Sequence, residues 1–344
     1  MATERNTRTT SRSARWWTIL ITLLALAAAL VAPPAGAEPL DELAVTSRVE
    51  PAVARIDTII PSQRAIGAGT GVVLDAGGAV LTNFHVVQGA ETVNVQVSGR
   101  SYDADLVGYD RGADIAVLQL RGASGLPVAP IGDIGALAEG ERVVALGNAN
   151  GTGGPLTREA GTVTGFGRSV TAEDSLTGSS EELRGLIEFA APVRAGDSGG
   201  PVVDDTGAVV GITTAATVNF RMGPAGQGFA IPIDRAAGLA GQIRSGARSD
   251  TVHIGPPSLL GVGVPTSGLG DGGLLLSEVL IGGPADQIGL RPGDTLLSVA
   301  GAPVDSATGL TEVLDRHYPG ERVDVTWIDR GGQQRTAGAT LATF

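Results

Sequence analysis

The hexapeptide Gly196-Asp197-Ser198-Gly199-Gly200-Pro201 sets one serine among glycines. A serine hydroxyl attacks a carbonyl only where a base takes its proton and donors meet the oxyanion. The glycines permit a tight turn that exposes the Ser198 Oγ. The same turn can aim backbone amides of Gly196, Asp197 and Ser198 at one point, an oxyanion hole in outline. A plain Gly-rich β-turn with Asp at its corner is the competing reading. The base should be a histidine on a rigid element. Ala79-Val80-Leu81-Thr82-Asn83-Phe84-His85-Val86-Val87 places His85 at the end of a strand-like run, although a lone histidine there can also be a satisfied core residue. The third group must be a buried carboxylate that orients the imidazole. Asp114 opens the apolar run Ile115-Ala116-Val117-Leu118, and an Asp leading into such a strand is costly without a partner. Asp103, Asp105 and Asp110 are rivals, but they sit among polar or turn residues and read as solvated.

Several other chemistries are excluded. The chain has no Cys, hence no disulfide, no thiolate metal site and no cysteine nucleophile. It also has no Lys: all 24 basic residues are Arg, which removes the Walker A loop, Schiff-base chemistry and a Ser–Lys dyad. His85, His253 and His317 are too scattered for a zinc site, and no metal or cofactor is expected; His253 and His317 read as surface residues. A net charge of −12 argues against nucleic acid as a partner. Gly67-Ala68-Gly69-Thr70-Gly71 hints at a dinucleotide fingerprint but lacks the third glycine and the helix that should follow.

The elements that must position these residues are short and β-branched. Between Pro51 and Pro232, runs such as Thr92–Val97, Ile115–Leu118, Arg142–Leu146 and Ala208–Ile212 alternate with Gly, Asp and Asn turns. Strands this short and frequent predict antiparallel barrels or sandwiches. Asp75–Gly78 and Asp204–Gly207 read as hairpin turns, and Thr171–Ser180 as a polar surface loop. With only 3% aromatics, the core must come from Val, Ile, Leu and Ala. Asp234 is placed to cap a helix over Arg235–Arg244, and Ser245–Ser258 reads as a linker. After it come Pro284, which can open a short helix, Gly289, which can end it, and a further helix over Thr308–His317.

Thr-Asn-x-His-Val-Val, Asp-Ile-Ala-Val-Leu and Gly-x-Ser-Gly-Gly, in that order, resemble trypsin-like serine proteases of the HtrA/DegP family. Gly67–Asp75 and Gly228–Pro232 look like that family's first-barrel and last-barrel strands. The resemblance implies a mainly β fold, a chymotrypsin-like double six-stranded β-barrel followed by a PDZ domain. It also implies a His85, Asp114, Ser198 triad and an acyl-enzyme mechanism. By the same resemblance the pocket for the residue preceding the scissile bond has Pro192 at its base and Thr213, Thr214, Ala215, Ala216 and Gly228 in its walls. These are small and uncharged, so an aliphatic side chain is expected there. The family usually has Asn where Asp197 stands; with no zymogen N-terminus in view, Asp197 needs an Arg or hydrogen-bond donors instead, and Arg158 and Arg168 are candidates. The segment between Ile60 and Gly67 is too short for the long regulatory loop of some members. Family trimers use aromatics near the N-terminus; Glu38–Glu50 has none, which argues against a trimer while a homo-oligomer of another kind stays open.

The C-terminal part resembles a PDZ domain, with Leu259, Leu260, Gly261 and Val262 as the loop that would hold a peptide carboxylate on backbone amides. Ahead of everything lie Arg5, Arg8, Arg12 and Arg15, then the uncharged run Trp16–Ala32, then Ala35-Gly36-Ala37. This is the pattern of a cleaved export signal, with an uncleaved anchor as the alternative; either places the body outside the cytoplasm, secreted or in the envelope. The expected division is a signal peptide over 1–37, a protease domain over 38–248 and a PDZ domain over 249–344. The expected function is an exported serine endopeptidase acting on envelope or extracellular proteins, with protein substrates and peptide C-termini as partners. The alternative is a silent, PDZ-bearing peptide-binding or chaperone-like protein.

Overall fold

The structure is a computed structural model that describes residues 41–60, 65–151, 153–173, 179–214, 226–264 and 272–343. The export segment and the pocket residues Ala215 and Ala216 lie outside the described residues.

Six antiparallel strands form the first barrel: β1 (Val53–Ile60), β2 (Ala65–Val73), β3 (Ala79–Thr82), β4 (Thr92–Val97), β5 (Arg100–Asp110) and β6 (Ile115–Leu120). Their order is β5-β4-β1-β2-β3-β6, and β5 pairs with β6 to close the ring. The second barrel is likewise closed, by β7 (Arg142–Gly147), β8 (Thr157–Glu173), β9 (Ser180–Ala190), β10 (Pro201–Val203), β11 (Val209–Thr213) and β12 (Gly228–Pro232). Closure removes the exposed edges that short strands would otherwise present. The second core is made of Val143, Val163, Ile187, Val202, Val210 and their neighbours, with Phe189 as its one aromatic, as the composition requires. Each such side chain contributes roughly 1.5–3 kcal/mol on full burial.

Both hairpin turns form: Asp75 Oδ1 accepts the amides of Gly77 and Ala79, and Asp204 Oδ1 those of Thr206 and Ala208. Ile60 pairs with Ala65 across the β1–β2 connection, so no long loop fits there. Thr171 and Ser180, read as loop, belong to the long β8–β9 hairpin arms; their polarity reflects a solvated ribbon. The helix runs Ile233–Arg244, and Asp234 sits inside its first turn rather than capping it, its charge facing the positive helix end.

Ser245–Ser258 is not a free linker. Its middle, β13 (Val252–Ile254), pairs with β5 and extends the first-barrel sheet. His253 within it is 1% exposed, contrary to the surface reading. Its ring stacks between Tyr109 and Tyr318, its Nδ1 lies 2.8 Å from the Asp315 carbonyl, and its Nε2 lies 3.1 Å from that of Pro256.

The rest builds a separate core. Short pairs β14 (Ser258–Leu259) with β22 (Ala342–Thr343) and β15 (Val262–Gly263) with β17 (Glu278–Val279) flank a sheet in the order β16 (Leu274–Leu275), β18 (Thr295–Val299), β20 (Arg322–Ile328) and β21 (Gln334–Thr340), with β19 (Ala302–Pro303) paired to β18. Helices Pro284–Gln287 and Ala307–Leu314 cover it. The second helix stops at Asp315, earlier than the apolar spacing suggests, because 315–320 turn toward Pro319 and Gly320. Leu260, Leu276, Leu290, Leu296, Val325 and Trp327 fill this core without help from the barrels.

Candidate active site

The structure pairs His85 with Asp114 and lays the Ser198 loop against the segment that leads to His85, at the seam between the barrels. His85 lies in the single helical turn Phe84–Val87 that follows β3, anchored by buried Phe84, Val86 and Val87. Asp114 ends the tight turn between β5 and β6. That turn is held by Ala113 N donating to Asp110 Oδ1 (2.9 Å) and Asp114 N donating to the Arg111 carbonyl (3.0 Å). Asp114 takes a φ of +53°, a left-handed conformation that Asp tolerates better than most residues. Its rivals are otherwise engaged. Asp110 is buried as a turn cap rather than solvated, and Asp105 is paired with Arg121 at the surface.

The His85 Nδ1 stands 2.8 Å from Asp114 Oδ2 and 3.0 Å from Oδ1. Asp114 Oδ1 also accepts the His85 amide (3.1 Å), Oδ2 accepts the Thr214 hydroxyl (3.0 Å), and the Asp114 carbonyl accepts Asn83 Nδ2 (2.9 Å). A carboxylate so held accepts from Nδ1–H and leaves the Nε2 lone pair as the basic site. Asp114 is 6% exposed while the His85 side chain is 29% exposed, so the pair is shielded at the carboxylate and open at the imidazole edge.

Ser198 is 4% exposed and sits in a loop sewn to both barrels. Its carbonyl accepts the Thr70 amide (2.8 Å), and the next residue, Gly199, donates to the Thr213 carbonyl (2.8 Å). A Cβ on Gly199 would lie 3.2 Å from the Asn83 amide, which shows how closely the serine loop meets the segment bearing His85. Gly196 has φ +96° and packs on the Asn148 carbonyl, so a side chain there is excluded. The Asp197 amide donates to the Arg194 carbonyl (3.0 Å), which removes it from the expected oxyanion set of Gly196, Asp197 and Ser198.

Of the two kinds of partner expected for Asp197, the structure supplies hydrogen-bond donors, and neither candidate arginine reaches it. Arg158 pairs with Glu50, and Arg168 with Glu188 (2.7 Å). The Asp197 carboxylate instead accepts the Arg194 amide (2.8 Å) and the Thr157 hydroxyl (2.9 Å). Burial pushes its carboxyl above the usual range, and these hydrogen bonds offset only part of that.

Of the expected pocket residues, Thr214 spends its hydroxyl on Asp114 rather than on the pocket. Thr213 is buried with its Oγ1 unpartnered among the described residues, beside Ala230 across the β11–β12 ladder. Gly228 faces the Phe189 ring. Gly226, unremarked in the sequence, is the glycine that abuts Pro192, where a Cβ would lie 2.9 Å from the Pro192 Cα. In the C-terminal unit Leu260 is a core residue and Leu259 is half-buried. Gly261 has φ +81°, and the Leu260 and Gly261 carbonyls are taken by the Ala285 and Leu280 amides (both 2.9 Å), pointing those oxygens inward. No group of three or more metal-ligating side chains occurs among the described residues.

Residues 69–212 match the trypsin-like peptidase domain family and residues 258–341 the PDZ domain family. The chain is 31% identical over 314 residues to the putative serine protease HhoA of Synechocystis, covering 79% of this chain and 77% of that one. It is 34% identical over 283 residues to HhoB of the same organism, spanning 79% of this chain and 65% of HhoB. It is 33% identical over 294 residues to the periplasmic pH-dependent serine endoprotease DegQ of Escherichia coli, spanning 82% of this chain and 61% of DegQ. Among solved structures, the HtrA-type protease AlgW with a tripeptide superposes with a TM-score of 0.52 at 28% identity, over 88% of this chain and 97% of that one. A serine endoprotease from Yersinia pestis gives 0.50 at 28% identity, over 90% and 100%. The chain belongs to the HtrA family of trypsin-like serine proteases that carry a PDZ domain.

Proposed function

We propose that the protein is an endopeptidase that cleaves peptide bonds through His85, Asp114 and Ser198, with an appended domain that captures peptide C-termini. The observation that carries this is the Nδ1 to Asp114 Oδ2 contact of 2.8 Å, which leaves His85 a base at the seam where the Ser198 loop lies. The Ser198 Oγ–H proton passes to Nε2 as Oγ bonds to the carbonyl carbon. The carbonyl oxygen becomes an oxyanion facing the Gly196 and Ser198 amides. Collapse breaks the C–N bond, Nε2 returns the proton to the leaving amine, and water repeats the sequence on the acyl-enzyme. Asp114 stays ionised and stabilises the imidazolium. A silent, chaperone-like role is not favoured, since every group the chemistry needs is present.

The pocket supports a small or medium aliphatic residue before the scissile bond: Pro192 and Gly226 offer no carboxylate to an arginine or lysine. The loop Leu259–Val262 supports capture of a terminal carboxylate, with both inner carbonyls turned away from it. The basic, apolar and Ala-Gly-Ala segments support export, and DegQ is by name periplasmic. Substrates are accordingly proteins of the envelope or medium, and the domain division is 1–37, 38–248 and 249–344, with β13 at the start of the last part paired back onto the first-barrel sheet. The test is digestion of an unfolded protein with product termini read by mass spectrometry. Cleavage after Ala, Val or Leu that vanishes in Ser198→Ala is expected; cleavage persisting in that variant would overturn the assignment.

A further inference from the structure

The loop before Ser198 is held by four carbonyl anchors. The Ala195 oxygen accepts the Asn150 amide (2.7 Å), the Gly196 oxygen accepts the Thr70 hydroxyl (2.6 Å), the Asp197 oxygen accepts the Gly200 amide (3.0 Å), and the Ser198 oxygen accepts the Thr70 amide (2.8 Å). In a trans peptide the C=O and the following N–H point opposite ways. Fixing the Ala195 and Asp197 oxygens therefore aims the Gly196 and Ser198 N–H groups away from their anchors, on the side where the oxyanion forms. Two of the four anchors come from Thr70.

Thr70 belongs to β2 of the first barrel, whereas the turn it grips belongs to the second. It is fully buried and uses each of its polar atoms. The hydroxyl gives its one proton to Gly196 and accepts the Asn148 amide (2.9 Å); the carbonyl accepts the Thr82 hydroxyl (2.7 Å). Thr82 in turn lies three residues before His85. One residue thus spans the seam, its side chain bracing the turn and its main-chain carbonyl holding the strand that leads to the base.

We propose that Thr70 is a positioning residue for catalysis, whose hydroxyl holds the 196–197 peptide and so keeps the two peptides flanking it, which carry the Gly196 and Ser198 N–H groups, turned into the oxyanion hole. Without it the Gly196 carbonyl and the Asn148 amide are both buried and unpaired, a penalty the turn can relieve by rotating the 196–197 peptide and carrying its neighbour with it. The loss then falls on the transition state, because the hole binds charge that the bound substrate does not yet carry. This inference rests on the active-site reading above, so Ser198 of the unaltered enzyme must first be shown to be the residue labelled by a fluorophosphonate. A label elsewhere would sink that reading rather than this one.

The experiment compares Thr70→Ser, Thr70→Cys and Thr70→Val, with turnover counted per labelled Ser198. Donor strength and shape predict opposite orders. Serine keeps the hydroxyl but loses the methyl; valine keeps the shape but has no proton to give. The expected result is kcat near the parent value for Thr70→Ser, a fall of about 10- to 100-fold for Thr70→Val, and Thr70→Cys between them, with KM little changed. Slower phosphonylation of Ser198 should follow the same order, because that reaction also passes through an oxyanion. If Thr70→Val does not fold, Thr70→Cys turning over as fast as Thr70→Ser overturns the proposal. So does a folded Thr70→Val with parent kcat, or a loss that appears in KM alone.

Discussion

Arg111 and Asp315 join the catalytic barrels to the PDZ domain through a paired contact, Nε to Oδ2 at 2.6 Å and Nη2 to Oδ1 at 3.1 Å. The Tyr109 hydroxyl donates to the same carboxylate (2.7 Å), and the Arg111 guanidinium lies 4.8 Å from the Phe84 ring centroid. Phe84 precedes His85, and the Arg111 carbonyl holds the Asp114 amide. The end of the PDZ helix therefore reaches, through Arg111, both the residue before His85 and the turn that ends at Asp114. On the neighbouring hairpin, Ser180 N donates to Thr308 Oγ1 (3.1 Å), a second tie to the same helix.

Removing the acid from this cluster should be costly, since Arg111 is only 13% exposed and would be left without its main counterion. Asp315→Ala is expected to destabilise the chain by about 2–4 kcal/mol, less than for a wholly buried pair because Asp315 keeps some solvent contact. Asp315→Asn, which retains an acceptor, should cost less. Thermal unfolding of the two variants checks the order; an Asp315→Ala protein as stable as the parent would show that the contact contributes nothing net.

On the proposed mechanism Asp114 sets the imidazole tautomer, and Asp114→Asn should then lower kcat about 10⁴-fold without unfolding the protein. Thr214 donates one of several hydrogen bonds to that carboxylate, and Thr214→Val should lose far less. Asp110→Asn keeps the acceptor that caps the turn and should stay near the parent rate. Steady-state kinetics on one peptide ranks all three, and a larger loss at Asp110 than at Asp114 would mean the wrong carboxylate has been assigned.

Asp197 should make stability depend on pH in a direction opposite to that of an ion-paired carboxylate. Burial raises its carboxyl above the ordinary 3.8, so the folded state holds the proton more tightly than the unfolded chain. Its contribution is then present below the unfolded value and falls away as pH rises through the raised one. Asp197→Asn removes this slope. Relative to the parent, the variant should gain stability as pH climbs from below 3.8, measured by denaturant midpoints across pH. A difference that is flat with pH would show that the carboxyl is not perturbed by its burial.

The PDZ core draws on residues 260–341 alone, so residues 258–344 are expected to fold without the barrels. That fragment should bind peptides with an apolar C-terminal residue, and amidating the peptide should weaken binding because the loop amides lose their carboxylate. Equal affinity for acid and amide in a titration would rule out the loop as a carboxylate site.

The candidate triad was legible because His85 and Asp114 interrupt apolar strand patterns, after β3 and before β6, and Ser198 stands in a glycine-rich turn. The barrels were legible for the same reason, since β-branched runs and Gly or Asp turns carry local information. What it hid was long-range. His253 looked solitary because Tyr109 and Tyr318, which enclose it, are far away in sequence, and β13 looked like a linker because its pairing partner β5 lies in another part of the chain. For Asp197 the need for hydrogen-bond donors in place of a cation was legible, but not their identity: the Arg194 amide and the Thr157 hydroxyl serve, while Arg158 and Arg168 pair elsewhere. Thr70 drew no notice, since a threonine in a strand is ordinary until its hydroxyl is seen to cross the seam.

The central claim is that Ser198 is a nucleophile activated by His85. Its most direct test is reaction of the folded protein with a fluorophosphonate, followed by peptide mapping. The account predicts one phosphonylated residue, Ser198, with labelling abolished in Ser198→Ala and strongly slowed in His85→Ala. Absence of label on Ser198 in the intact protein, or labelling that persists unchanged without His85, would contradict it.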